Sequence, residues 1–318
     1  MNIKTNTGDI LKQSVMMALS EIQSEIDAIE DNNSLSKEIN FISRSETIDR
    51  IDFHIIDRID QLQTEINPPE QLFALKRRAY SLKRRLEEID ADLFLRIRTN
   101  IQSGIYSGTS FKGEIDKYLA NSPVRLKNGE IGFDNLDLLV NGIFPIQQTP
   151  LETKEREAEM VFYQKTPARI IFELAEKTHF TKEDVFYDLG SGLGQVCILV
   201  NLLSGVKSTG IEFEPEFCKY ANISAKELNL KNIKFINSDA RSADYSDGTV
   251  FFMYTPFTGQ ILQEVLEILR HESLKRKITL FTYGPCTIEV ANQNWLISAS
   301  QGNKDDIYRL YEFRSHYS

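Results

Sequence analysis

The chain has 318 residues, of which 41% are hydrophobic, and a formal net charge of −9 at pH 7. This length allows two domains with their own cores, and the acidic balance argues against general affinity for DNA. Neither an 18-residue apolar run nor a basic start followed by an apolar segment occurs, so we expect no membrane span and no secretory signal, and a cytoplasmic location.

Residues 1–109 are predicted to form an all-α helical domain, a hairpin or bundle. Apolar residues recur at intervals of three and four along 11–29 and 48–66, which predicts a helix in each segment. After the proline-containing turn at 67–70, apolar residues at heptad spacing along 72–93 predict a long third helix. The second and third helices should pack antiparallel. Such a domain would cap a cleft or serve as a dimerisation arm for a homodimer.

Two Lys-Arg-Arg clusters, at 76–78 and 83–85, place six cations on the third helix. They could dock an acidic partner or nucleic acid. However, Glu87 and Glu88 follow at once, and aromatic residues do not interleave as in a nucleic-acid platform. We therefore expect a solvated helix face and no nucleic-acid partner.

Residues 110–156 are mixed in composition and are interpreted as a connecting lobe. Short helices are predicted near 113–120 and 135–140, separated by glycine and proline. The lobe leads directly into the second domain, at 157–318. By its position, it would roof the substrate site.

A glycine-rich turn follows a short predicted strand that begins at Val185 and ends on Asp188, and this turn opens a helix. An acid, Asp188, precedes three glycines at alternate positions: Gly190, Gly192 and Gly194. A dinucleotide-binding loop would place its last glycine at 195, where this chain has Gln195. The acid just before the first glycine, Asp188, suits a ligand with a positive amino group and repels a pyrophosphate. This favours S-adenosylmethionine. The alternative is a tight glycine turn in another α/β protein.

Two further acids lie where predicted strands end: Glu212 at the C-terminal end of the strand at 209–213, and Asp239 just after the strand at 233–237. Glu212 lies about 20 residues past the glycines, where a carboxylate can accept both ribose hydroxyls. Asp239 can accept the adenine amino group, and the backbone amide of Ala240 beside it can meet a ring nitrogen. Since ligands bind at the carboxyl ends of strands in open α/β sheets, these acids are predicted to share one site.

The stretch from Asp188 to Asp239 resembles class I S-adenosylmethionine-dependent methyltransferases. DLGSGLGQV is similar to the loop of the DOT (disruptor of telomeric silencing) histone lysine methyltransferases, a non-SET family. That family carries a Y-x-x-T element ahead of the loop, at the methionine end of the cofactor. The resemblance implies that Tyr163 and Thr166, in Tyr-Gln-Lys-Thr, contact the cofactor together with the loop and Gln195.

The fourth strand, predicted at 249–254, runs into Tyr254, Thr255, Pro256 and Phe257. Amine and amide methyltransferases often carry N-P-P-Y or D-P-P-Y here, and the DOT family an N-N-F element; this chain keeps the Pro-Phe half and replaces Asn with Tyr254. A tyrosine hydroxyl does not offer the geometry of an Asn carbonyl, which puts nitrogen as the target atom in doubt. We interpret Tyr254, Pro256 and Phe257 as the catalytic pocket, with aromatic walls for a cationic methyl group.

Several other residues are weaker candidates. Phe251 and Phe252 are expected in the core, and Tyr283, at the end of a fifth strand at 278–283, is a less favoured pocket residue. Cys286 is expected to be an apolar filler, and three cysteines without a C-x-x-C pair and scattered histidines predict no metal site. Segments 295–300 and 307–314 predict a closing hairpin.

The expected fold is α/β, a Rossmann-like seven-stranded methyltransferase sheet with helices on both faces, preceded by an all-α N-terminal domain. The expected activity is S-adenosylmethionine-dependent methyl transfer to a protein side chain, lysine by the resemblance, or to a small molecule. The alternative is a non-catalytic methyltransferase-fold binding module whose helical domain binds a partner.

Overall fold

The computed structural model describes residues 4–65, 70–119, 134–146, 148–300 and 306–316. Two compact units emerge: one is Met1–Arg96 with Lys117–Ser122, and the other is Ile97–Asp116 with Pro123–Ser318. The predicted turn at 67–70, apart from Glu70, and the hairpin turn at 301–305 lie outside the described residues.

The first unit is helical, as expected. Its helices are α1 (Lys4–Glu30), α2 (Phe41–Arg50), α3 (Asp57–Glu65) and most of α4 (Glu70–Gln102). A π-helical turn, Ile51–Ile56, joins α2 to α3, so the predicted second helix begins earlier and is interrupted. The apolar stripes of these helices meet in one core, whose fully buried members include Ile26, Ile55 and Leu72.

Ion pairs between the helices report their directions. Glu25 of α1 pairs with Arg50 of α2, whereas the earlier Glu21 pairs with the later Arg58 of α3. Residue numbers therefore increase along α1 as they decrease along the α2–α3 run. The same inverse order joins α4 to the α2–α3 run, because Lys83 pairs with Asp52 and Lys76 with Asp60. Both α1 and α4 are therefore antiparallel to the α2–α3 run.

Three of the six cations of the two Lys-Arg-Arg clusters pair with acids on neighbouring helices of this unit. Besides Lys76 and Lys83, Arg78 binds Asp27 (2.7 Å) and Glu30 (2.6 Å) of α1. The expectation of a purely solvated face is thus wrong for these three side chains, which join neighbouring helices. Heptad spacing revealed the apolar stripe of α4 but not the acids that flank it on the other helices.

A buried ion pair lies beside this core. The Arg44 side chain is fully buried, its Nε donates to Asp90 Oδ1 (2.7 Å), and its Nη1 donates to the carbonyls of Leu35 and Lys37 (both 2.9 Å). Burial raises the pKa of Asp90, and Arg44 offsets part of that rise. The guanidinium therefore compensates a carboxylate that water hardly reaches.

Replacing Arg44 with alanine should destabilise the protein by about 3–5 kcal/mol, because the Asp90 charge would stay buried without its partner. The double variant Arg44→Leu/Asp90→Leu should recover most of this loss. The exposed Arg84, whose Nε lies 3.7 Å from Glu88, is the control, since Arg84→Ala should change the unfolding free energy by less than about 0.5 kcal/mol. Urea denaturation measures all three; a single variant as stable as the wild type would contradict the role of Arg44.

The second unit contains a seven-stranded sheet in the order β3-β2-β1-β4-β5-β7-β6. Its strands are β1 (Val185–Leu189), β2 (Lys207–Glu212), β3 (Ile233–Asn237), β4 (Val250–Met253), β5 (Thr279–Thr282), β6 (Leu296–Ser298) and β7 (Tyr311–Ser315). β7 runs antiparallel to its neighbours β5 and β6, and the other pairs are parallel. This is the Rossmann-like methyltransferase sheet that we expected.

The described residues after α4 form seven further α-helices, of which α5 ends within the first unit: α5 (Thr109–Leu119), α6 (Asn135–Ile143), α7 (Ala168–Thr178), α8 (Gln195–Ser204), α9 (Pro215–Glu227), α10 (Gly259–Ser273) and α11 (Cys286–Ala291). The two short helices predicted in the lobe correspond to α5 and α6. No helix in the described part of the chain is long and apolar enough to span a membrane.

The strand order determines where a ligand can enter. From β1 the chain proceeds to β2 on one side of the sheet, and β4 returns to pair with β1 on the other side. At such a reversal, loops leave in opposite directions and open a crevice at the carboxyl ends of the strands. The glycine-rich loop after β1 lies at this point.

Candidate functional site

A cavity opens at the carboxyl ends of β1, β2 and β4, and encloses about 1010 Å³ including its open mouth. Twelve of the thirteen predicted site residues line it: Tyr163, Thr166, Asp188, Gly190, Gly192, Gln195, Glu212, Asp239, Ala240, Tyr254, Pro256 and Phe257. One site therefore gathers residues that are up to 94 positions apart in sequence.

The loop glycines allow close packing that side chains would prevent. Gly190 (φ +75°) and Gly192 (φ +52°) adopt left-handed backbone. A Cβ on Gly190 would lie 2.3 Å from Pro256 Cβ, and a Cβ on Gly192 would lie 2.3 Å from the Tyr163 ring. Thus the loop, Pro256 and Tyr163 close around the same space.

Gly194 differs from the other two loop glycines, because it is not among the lining residues. It precedes α8 at φ +82°, and a Cβ there would lie 2.6 Å from the Phe235 ring and 2.7 Å from Ala221 Cβ. The sequence predicts that Gly194 contacts the cofactor, and its lack of a side chain also lets α8 begin against Phe235 and Ala221.

Glu212 is held in place by backbone amides. Gly192 donates to its Oε2 (2.6 Å), and Glu214 donates to its Oε1 (2.8 Å). Burial raises the pKa of Glu212, and these bonds offset part of the rise. Each oxygen keeps a further lone pair, so this fixed carboxylate can accept two hydroxyl groups.

Asp188 is 3% exposed at the end of β1. Burial raises its pKa well above the usual range for aspartate, and the neighbouring Glu212 raises it further. Arg156 is the only Lys or Arg among the described lining residues, against five carboxylates. The cavity therefore favours a ligand that brings positive charge and disfavours phosphate.

Two buried polar atoms in the lining have no hydrogen-bond partner among the described residues: Ser191 Oγ and Gln195 Nε2. Unpaired buried groups of this kind cost free energy unless a ligand satisfies them. Together with the bare glycine backbone and the two buried carboxylates, they fit a cationic, phosphate-free ligand with polar groups. S-adenosylmethionine meets these requirements.

Asp239 lines the cavity, but its carboxylate already has a partner. The Arg241 backbone amide (2.8 Å) and Nε (3.0 Å) donate to Oδ1, and Arg241 Nη2 donates to Oδ2 (2.6 Å). Arg241 thereby lowers the pKa of Asp239. Hence Asp239 is the one predicted acid in the site whose charge is balanced.

The Tyr-Gln-Lys-Thr element lies beside the loop. The Tyr163 ring packs edge-on against Phe217 (5.5 Å between centroids), and burial raises the pKa of its hydroxyl. Thr166 is 6% exposed in the lining. Residue patterns alone do not reveal this element, and the family resemblance was the signal that located it.

The turn after β4 is strained and well anchored. Thr255 has φ +40°, a region that β-branched residues rarely adopt. Its Oγ1 accepts from the Cys286 amide (3.1 Å) and donates to the Tyr283 carbonyl (3.3 Å). These bonds stabilise a conformation that brings Tyr254 and Pro256 to the cavity.

The weaker candidates of the sequence analysis lie in the buried interior and outside the cavity lining. Phe251, Phe252, Tyr283 and Cys286 are buried and are not among the lining residues, and Tyr283 packs against the Tyr254 ring (4.7 Å between centroids). Among the described residues, no group of three or more His, Cys, Asp or Glu is placed to hold a metal ion.

Residues 152–162, at the end of the lobe that was expected to roof the site, contribute several lining residues, none of which the sequence pattern had singled out. Glu214 accepts from the amides of Thr153 (2.9 Å) and Lys154 (2.8 Å) and from the Thr153 hydroxyl (2.7 Å). Burial alone would raise the pKa of Glu214, but these bonds lower it to about 2. The end of the predicted lobe thus reaches the cavity, whereas α5 and α6 do not line it.

Comparison with known proteins gives one family. Residues 149–269 match the model of the histone methylation protein DOT1 family, and no curated protein sequence matches the chain. Similar solved structures include an RNA methyltransferase from Salinibacter ruber in complex with S-adenosyl-L-homocysteine (23% identity, 48% of this chain and 92% of that chain, TM-score 0.38). A precorrin-6y C5,15-methyltransferase from Geobacter metallireducens is also similar (14% identity, 50% of this chain and 94% of that chain, TM-score 0.36). So is a putative S-adenosylmethionine-dependent methyltransferase from Methanococcus maripaludis (14% identity, 48% of this chain and 87% of that chain, TM-score 0.37).

With TM-scores below 0.5, these structural likenesses carry no weight in the assignment, which rests on the family match and the cavity. The matched residues contain the loop, both buried carboxylates and the turn after β4. The chain is a class I S-adenosylmethionine-dependent methyltransferase that resembles the DOT-type lysine methyltransferases.

Proposed function

We propose that this methyltransferase acts on an amine of a protein side chain, and that the predicted residues divide between cofactor and acceptor. The observation that supports the cofactor roles is the pair of buried carboxylates at the glycine loop, Asp188 and Glu212, which have no Lys or Arg partner in the described part of the chain. Asp188 would bind the cofactor amino group, and Glu212 the ribose hydroxyls. Ala240 and Asp239 would meet the adenine, with Asp239 fixed by Arg241.

Tyr163, Thr166 and Gln195 would hold the methionine end. Tyr163 closes over Gly192, and Gln195 Nε2 is a buried donor without a partner in the described chain. When bound, S-adenosylmethionine supplies a methyl group activated on a sulfonium, so the protein has to position and desolvate the partners. Tyr163 and Pro256 would exclude water from the place where the cofactor methyl group meets the acceptor.

The acceptor end supports an amine. Phe257 is buried and Tyr254 half-buried in the lining, so a neutral amine that gains positive charge on methylation would face aromatic rings. Apolar surroundings also favour the neutral form of an amine, which is the nucleophile. Burial raises the pKa of Tyr254, so its hydroxyl stays protonated and can hydrogen-bond the acceptor nitrogen. The protein nature of the acceptor is supported by the match to a histone methylation family.

Turnover with radiolabelled S-adenosylmethionine tests the acceptor. Lysate separated into protein, RNA and small-molecule fractions is incubated with the enzyme, and the expected label is acid-stable, in the protein fraction, and comigrates with methylated lysine. The Asp188→Asn variant is the blank. Label only in RNA or in small molecules would contradict the proposed acceptor, and binding of cofactor without label in any fraction would favour a non-catalytic module.

A further inference from the structure

The stretch from Tyr163 to Pro167 has no regular secondary structure, although Tyr163 and Thr166 line the cavity. An irregular segment lacks the repeated backbone hydrogen bonds that fix a helix or strand, so ordering it costs conformational entropy each time a ligand binds. Contacts with another element must therefore hold these two side chains in place before binding. Helix α6, from the lobe without an assigned role, provides such contacts.

Asp137 lies in the first turn of α6 and is fully buried. Its Oδ1 accepts from the amide of Ala168, the first residue of α7 (2.8 Å). Its Oδ2 accepts from the Asp134 amide (3.0 Å) and so completes the capping box of α6. One carboxylate thus joins the start of α6 to the residue that directly follows Tyr163–Pro167.

Lys165 supplies a second link between this segment and α6. It is half-buried, it is not among the lining residues, and its Nζ donates to Asn141 Oδ1. Asn141 follows Asp137 by four residues, so both lie on the same face of α6. Burial lowers the pKa of Lys165, which the nearby Asp137 partly offsets. The segment is thereby held at Lys165 and at Ala168, on either side of Thr166.

We propose that α6 acts as a clamp that preorganises Tyr163 and Thr166 for the cofactor, with Asp137 and Lys165 as positioning residues. The inference rests on the proposed cofactor roles of Tyr163 and Thr166. It gives the lobe a definite part in the site even though α6 does not touch the cavity.

Two variants test the clamp. Asp137→Asn keeps the shape but removes the charge and one acceptor oxygen, and Lys165→Met keeps the length but removes the link to Asn141. Each should weaken binding of S-adenosylhomocysteine roughly tenfold by calorimetry, the effect of losing one charge-assisted hydrogen bond. In the ligand-free protein, hydrogen exchange should rise in peptides covering 161–170 and stay unchanged in β1 and β4.

The matched control is Asp184→Asn, since Asp184 accepts from the Thr181 amide (2.8 Å) and the Thr249 hydroxyl (2.8 Å) at the opposite end of β1. It should lower the melting temperature without changing affinity. If Asp137→Asn does not fold, Lys165→Met still decides, because it retains both Asp137 bonds. Unchanged affinity together with unchanged exchange at 161–170 would overturn the clamp. A wild type that does not bind S-adenosylhomocysteine would instead refute the cofactor roles, and exchange would still report on the clamp.

Discussion

Gly192→Ala should weaken binding of S-adenosylhomocysteine at least roughly 100-fold, the consequence of about 3 kcal/mol lost from two sources. The left-handed backbone at φ +52° disfavours any side chain, and the new Cβ would lie 2.3 Å from the Tyr163 ring. Because Tyr163 lines the cavity, relieving this contact must displace either the ring or the loop. Isothermal titration calorimetry measures the loss.

Gly205, at the other end of α8 from the glycine loop, offers a matched control. It ends α8 at φ +73°, yet a Cβ built there meets no atom within 4 Å. Gly205→Ala should therefore lower stability by about 1–2 kcal/mol through backbone strain while leaving affinity unchanged. If both variants bind equally well, the close packing of Tyr163 on the loop has no part in cofactor binding.

Asp188→Asn should also weaken binding roughly 100-fold, because a buried carboxylate that faces a ligand cation contributes several kcal/mol. The same substitution should leave the ligand-free protein at least as stable as the wild type, since it replaces a buried acid, which has no ion pair among the described residues, with a neutral amide. Loss of affinity combined with a maintained or raised melting temperature separates a binding role from a folding role.

The pH dependence follows from the direction of the shift. Burial raises the pKa of Asp188 above its unfolded value, so the folded protein binds a proton that the unfolded chain has released. The ligand-free protein should therefore gain stability from this group as the pH falls through the folded pKa. Cation binding needs the ionised form, so affinity should rise with pH over the same range, and less steeply in Asp188→Asn, where Glu212 still titrates.

Asp247→Asn is the control for this substitution. Asp247 accepts from the Tyr187 hydroxyl (2.6 Å) and pairs with Lys207 outside the cavity lining. Hydrogen bonds from these partners lower its pKa against the effect of burial. Affinity and its pH profile should match the wild type; a loss as large as that of Asp188→Asn would mean that any carboxylate of this domain has the same effect.

Local sequence patterns predicted the strands and the glycine turn, because burial and backbone conformation determine the residue types at those positions. Buried strands such as Val185–Leu189 are short apolar runs, and Gly190 and Gly192 break the pattern where the backbone turns. Acids at strand ends, Asp188 and Glu212, then followed from the geometry of parallel sheets. These residues could be predicted to share one site because the carboxyl ends of parallel strands meet at one edge of the sheet.

Contacts between distant residues escaped prediction. Glu214 binds Thr153 and Lys154 some 60 positions earlier, and Arg241 neutralises Asp239 while also reaching Glu157. Such pairs leave no periodicity in the sequence. The glycine spacing likewise does not reveal that Gly194 packs against Phe235.

Calorimetric titration of the wild-type protein with S-adenosylhomocysteine tests the central claim most directly. The account predicts one site per chain with saturable binding, weakened roughly 100-fold in Gly192→Ala and in Asp188→Asn and unchanged in Gly205→Ala. A folded wild-type protein that binds neither S-adenosylhomocysteine nor S-adenosylmethionine would contradict it.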